Sequence, residues 1–180
     1  TGPAENAHRK GKDAARHGIS MNPVSKADIL IAGVGHVLMG DDGLGPAVLK
    51  ELAAGGLSSR VRLLDAGSAP QDILTQLSGI TKLIVIDALT GVAPGAIEAK
   101  RFPAICALPG DDRTLSHGLG LIQTLGMARE LFPEIDILVI GAGITSAAAP
   151  GLQLSDSLRQ RIPALIALIH QELRLTVQPR

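Results

Sequence analysis

An α/β fold is predicted: a single three-layer domain, a mostly parallel twisted sheet with helices on both faces. Three observations carry it. Short apolar runs recur at 29–32, 61–64, 83–86 and 135–140. Segments with helical spacing lie among them. The runs are continuously apolar rather than alternating, as strands covered on both faces are.

The elements follow in order. Residues 29–32 form a strand run that ends in Gly33-Val34-Gly35. Leu44, Val48, Leu49 and Leu52 then fall on one helical face. The run 61–64 is a second strand, ending at Asp65. Ser68-Ala69-Pro70-Gln71 has the form of a helix start, with Ser68 as N-cap and Gln71 closing a capping box. Ile73, Leu74 and Leu77 continue it. The third strand, 83–86, ends at Asp87. After the Pro94-Gly95 turn, 96–100 is a short extra strand. Residues 101–116 carry Pro103, Pro109 and Gly110 and are read as a loop. A helix is expected over 119–131, a strand over 135–140 and an amphipathic helix over 158–173.

Residues 1–20 stand apart: His8, Arg9, Lys10, Lys12, Arg16 and His17 occur there with almost no large apolar residue. The segment lacks the apolar core of a secretory signal. It is read as a disordered tail or added leader, with the domain taken as residues 21–180.

Composition narrows the function classes. With 46% apolar and 19% charged residues, the 180-residue chain can bury a core as one globular domain. A formal net charge of zero supplies no general attraction to nucleic acid or to an anionic membrane. Phe102 and Phe132 are the only aromatic side chains apart from histidine, so base-stacking platforms are not expected. No apolar run approaches the roughly 20 residues of a membrane span. Cys106 is the single cysteine, which rules out an internal disulfide and fits a reducing cytoplasm.

In doubly wound sheets, ligands gather beyond the carboxyl ends of the strands. The first strand is followed by Asp42, the third ends at Asp87, and the long loop delivers His117 to the start of a helix. Two carboxylates and an imidazole suit a borderline divalent metal such as zinc or nickel. A metal-bound water, or an aspartate acting as general base, could then attack a substrate. Each residue also has a structural reading. Asp42 could cap the helix beginning near Gly43. Asp87 could accept loop N–H groups, and His117 could be a surface residue of a first turn. Asp65 is read as structural, Cys106 as inert and His36 as a loop residue. Gly33-Val34-Gly35 invites a dinucleotide reading, but Leu38 stands where that fingerprint needs a third small residue.

Four blocks in order resemble the hydrogenase maturation endopeptidases. They are Ile31-Ala32-Gly33-Val34-Gly35-His36-Val37-Leu38-Met39-Gly40-Asp41-Asp42-Gly43-Leu44-Gly45, Leu64-Asp65-Ala66-Gly67-Ser68-Ala69-Pro70, Leu83-Ile84-Val85-Ile86-Asp87-Ala88, and Ser116-His117-Gly118-Leu119-Gly120-Leu121. Many members have Asn where this chain has His36. The resemblance implies an aspartic-type endopeptidase that removes the C-terminal extension of a nickel-loaded [NiFe]-hydrogenase large-subunit precursor. It carries metal contact and catalysis onto Asp42, Asp87 and His117. It also implies that nickel arrives with the precursor as the recognition determinant. An intrinsic metal stays open. The partner expected is the precursor, with no nucleic acid and no membrane. The competing reading is a non-catalytic nickel-binding or precursor-binding maturation factor built on the same three residues.

Overall fold

The computed structural model describes residues 27–107, 118–145 and 150–177. The expected tail, the start at Met21, most of the loop after 107, and His117 lie outside the described residues. Within them, strands β1 (Ile29–Val34), β2 (Val61–Gly67), β3 (Lys82–Pro94), β4 (Ile97–Arg101) and β5 (Asp136–Gly143) form one sheet in the order β2-β1-β3-β5-β4. All neighbours are parallel except β4, which pairs antiparallel with β5 at one edge. The helices are α1 (Leu44–Ala54), α2 (Gly118–Leu131), a one-turn α3 (Asp156–Arg159) and α4 (Ile162–Val177).

Alternation along the strands builds two cores. Ile29, Ile31, Ile84, Ile86, Leu138 and Ile140 meet Leu44, Val48, Leu49 and Leu52 of α1 and Leu165 and Ile169 of α4. Leu30, Ala32, Val34, Leu83, Val85, Ile137 and Val139 meet Ile73, Leu77, Leu121 and Leu125 on the other face. Full burial of each such aliphatic side chain contributes about 1.5–3 kcal/mol. The three layers are those the sequence predicts. Among the described residues no helix is long and apolar enough to cross a membrane.

Three local expectations are corrected. The expected helix over 68–77 is a 3-10 turn, Pro70–Gln76, and Ser68 and Gln71 form no capping box. The main chain starts this turn one residue later, with Asp72 N–H bonded to the Ala69 carbonyl at 3.0 Å. Strand β3 does not stop at Asp87 but runs thirteen residues to Pro94, because β5 continues to pair with it as far as Leu89. The last helix is split: Ser155 Oγ accepts Leu158 N–H at 3.3 Å and caps α3 before α4 begins.

At the amino ends of the strands, charges are tied together. The Lys82 side chain is 5% exposed and its ammonium lies 3.0 Å from Glu172 and 3.5 Å from Asp136. Arg101 bonds both acids as well, at 3.0 and 3.3 Å. Nearby, Arg60 forms a two-pronged pair with Asp28.

Candidate active site

The strand order reverses between β1 and β3. From β1 the chain crosses over α1 to β2 on one side, then returns past β1 to β3 on the other. Opposite crossovers leave a crevice at the carboxyl ends of these two central strands. Asp42 and Asp87 are both delivered there.

Asp42 comes from the β1 side. A 3-10 turn, Gly40–Gly43, joins β1 to α1 and packs against β3. Three glycines let it do so. A Cβ on Gly35 would lie 1.9 Å from the Asp42 carbonyl oxygen, and Gly35 has φ 140°. A Cβ on Gly33 would meet Leu49 at 2.7 Å. One on Gly45 would lie 2.3 Å from the Val34 oxygen and 2.8 Å from the Ile86 oxygen. Helix α1 therefore starts in direct backbone contact with both strands, one residue short of Asp87. A side chain at any of these positions would push the turn off the sheet.

Asp42 is buried, with 6% of the residue exposed. The N-cap position of α1 is held by Gly43, not by Asp42. The Asp42 Oδ2 accepts the His36 N–H at 2.8 Å, closing the loop back on itself. Asp42 thus stands one residue before the N-cap, with its carboxyl turned toward the crevice loop by this bond.

Asp87 lies one residue past the last β1–β3 pair, Gly33↔Ile86, while its other side stays paired with Gly141 of β5. It is fully buried, and its Oδ1 accepts the Ala88 N–H at 2.9 Å. Alternation sets it with Val85 and Leu89, on the face covered by α2. His117, the third predicted residue, lies outside the described residues; the chain resumes next to it as α2. Among the described residues no group of three His, Cys, Asp or Glu side chains could hold a metal ion.

The other candidates are placed plainly. Asp65 Oδ1 accepts the Gly67 N–H at 3.0 Å, the turn-forming role expected of it. His36 is exposed, and its Nδ1 accepts Leu38 N–H at 3.2 Å. With Gly35, Val37, Asp65, Gly67 and Ser68 it lines a hollow of about 220 Å³ beside the crevice. Burial pushes the Cys106 thiol up, so the reactive thiolate is disfavoured.

Sequence reasoning missed how the Asp42 turn is braced. Gly40 N–H bonds the Gly151 carbonyl at 2.7 Å and Gly151 N–H bonds the Leu38 carbonyl at 3.0 Å. Asp41 Oδ1 accepts Ser155 N–H at 2.6 Å. A second acid beside Asp42 and a Ser-Asp helix start at Ser155-Asp156 were the available signals.

Known proteins resemble this arrangement over most of its length. The sequence profile described as hydrogenase maturation protease matches residues 46–172. A Methanocaldococcus jannaschii protein of hydrogenase-maturation-protease type is 30% identical over 160 residues, covering 84% of this chain and 99% of its own. The hydrogenase 2 maturation protease of Escherichia coli is 29% identical over 143 residues, covering 76% and 85%. Among solved structures, the hydrogenase maturating endopeptidase HybD of Escherichia coli superimposes with a TM-score of 0.71 at 26% identity, over 83% of this chain and 93% of that one. A doubly wound sheet with two buried aspartates at its switch point and relatives of this length and name leaves one conclusion: the chain belongs to the hydrogenase maturation protease family and is a peptidase.

Proposed function

We propose that this peptidase removes the C-terminal extension of a nickel-loaded [NiFe]-hydrogenase large-subunit precursor, in the cytoplasm, through Asp42, Asp87 and His117. One observation carries the reading. Asp87 is fully buried, between the buried Ile86 and Ala88 of its own strand. Taking a carboxylate out of water costs several kcal/mol before compensation, and a strand here would be better served by an aliphatic residue. A carboxyl kept at that expense, at the same sheet edge as a second buried aspartate, is what a reaction centre requires.

The donor set fits the substrate's metal. A carboxylate offers about four lone-pair directions, so a backbone N–H and a cation are compatible on one group. Two carboxylates with a neutral imidazole from His117 match nickel or zinc. Nickel carried by the precursor is part of the substrate, and its contact with these residues positions the scissile peptide. A metal held by the protein itself would add Lewis-acid activation of water. The chain's own contribution is general-base work: an aspartate takes a proton as water adds to the scissile carbonyl. The C–N bond then breaks and the leaving amine is protonated.

The test is mass spectrometry of matched precursors, with and without nickel, after incubation with chelator-stripped protein. A single cut in the nickel-loaded precursor alone is the expected result. Equal cutting of both forms would reject nickel recognition. No cutting of either, with binding retained, would favour the non-catalytic maturation factor.

A further inference from the structure

Of the six large apolar side chains exposed among the described residues, three sit on the two segments that brace the Asp42 turn: Val37, Leu38 and Leu152. Leu152 is 80% exposed. It is held in place nonetheless, because Gly151 before it bonds Leu38 and Gly40, and Ser155 after it bonds Asp41. Between these segments and the first turns of α1 runs a groove of about 270 Å³, lined by Val37, Gly43, Pro46, Lys50, Leu152 and Leu154 among others. Gly40 and Gly43 of its floor bound the turn that carries Asp42. No carboxylate among the described residues pairs with Lys50.

We propose that this groove docks the stretch of precursor that flanks the cut, seating an apolar side chain between Val37, Leu152 and Leu154 and a carboxylate on Lys50. The inference rests on the peptidase reading above and extends it to the side chains the substrate must present. Size and place favour this occupant. The volume is below that of ordinary small-molecule sites, roughly 300–1,000 Å³, but suits one or two side chains. The groove shares Gly40 and Gly43 with the turn bearing Asp42, so a peptide lying in it passes directly alongside that turn. A rigidly held apolar anchor beside a single cation is the pattern of a binding hot spot with one polar contact to fix register. Exposed apolar groups here would otherwise raise the risk of association without return.

The experiment measures binding of full-length nickel-loaded precursor to immobilised protein, with cleavage followed in parallel by mass spectrometry. Leu152→Ser and Lys50→Glu should each weaken binding about tenfold. Leu131→Ser, a change at another exposed leucine, on α2, should leave it unaltered. All four proteins should melt alike, since none of the changed side chains is buried. Wild-type affinity in both groove variants would overturn the docking proposal while leaving the peptidase reading intact. Binding that depends on the groove, without cleavage, would support docking and reject the peptidase reading. No binding by the wild-type protein would overturn both. Self-association in the absence of precursor, abolished by Leu152→Ser, would assign the face to a second copy and overturn the proposal.

Discussion

The two ends of the sheet treat buried charge differently. At the amino ends, Lys82 is buried but lies among Glu172, Asp136 and Arg101, a network of alternating sign across β3, β4, β5 and α4. At the carboxyl ends, two groups of the same sign are brought to one crevice, and backbone amides of His36 and Ala88 bond to them. The first arrangement lowers the cost of burial and joins elements. The second gathers carboxyl groups without a cation between them, which suits the proposed receipt of a cation or a proton. Buried charge alone therefore does not mark a reaction centre; the sign of its company does.

The largest effect that would break this contrast is on activity. Asp87→Asn keeps the size of the side chain and an oxygen for the Ala88 N–H, but removes the charge. Precursor cleavage should fall by about 10²–10⁴-fold, with circular dichroism and melting temperature held or raised. Normal cleavage by a folded Asp87→Asn protein would show that the carboxyl end is as structural as the amino end.

The amino end should respond in the opposite way. Lys82→Met removes the cation from between Glu172 and Asp136, and Glu172 is mostly buried. Stability in urea should drop by about 2–4 kcal/mol, with Arg101 limiting the loss. Cleavage per folded molecule should be unchanged. A large loss of activity at full stability would mean that the two ends are coupled.

The smallest effect is at Asp28. Hydrogen bonding and charge from Arg60 hold its carboxyl below the ordinary carboxylate value, and partial burial opposes them only in part. A group with a lowered folded pKa adds stability above its unfolded value, near 3.9, and loses it as pH falls through the folded value. Wild-type protein should thus lose stability below about pH 4 more than Arg60→Ala does. The pair is partly exposed, so the difference should be slight and should shrink with salt. Parallel acid-denaturation curves would remove the pair from the comparison.

Much of this contrast is legible before folding, and its limits are instructive. The run Ile84-Val85-Ile86-Asp87 announces a buried strand meeting an acid, because apolar periodicity is a local property. Its true end is not local: β3 continues to Pro94 because β5 is there to pair with it, which places Asp87 inside a ladder on one side and beyond β1 on the other. Ser68-Ala69-Pro70-Gln71 has the letters of a capping box, yet the main chain satisfies the turn without it. Nothing around Lys82 in the sequence foretells its burial, since Glu172 lies ninety residues away.

The sequence by itself determined the layers, the order of the elements and the arrival of Asp42 and Asp87 at the same edge. These follow from side-chain periodicity and from the direction of parallel strands, which the chain carries residue by residue. Tertiary structure alone decided that the Asp42 carboxyl accepts the His36 N–H and that Gly43 takes the N-cap of α1. It also decided that Gly33, Gly35 and Gly45 are needed for close approach, and that the 150–155 segment braces the turn bearing Asp42 and walls a groove. Those outcomes depend on atoms distant in sequence meeting within a few ångströms, and no local pattern encodes such a distance.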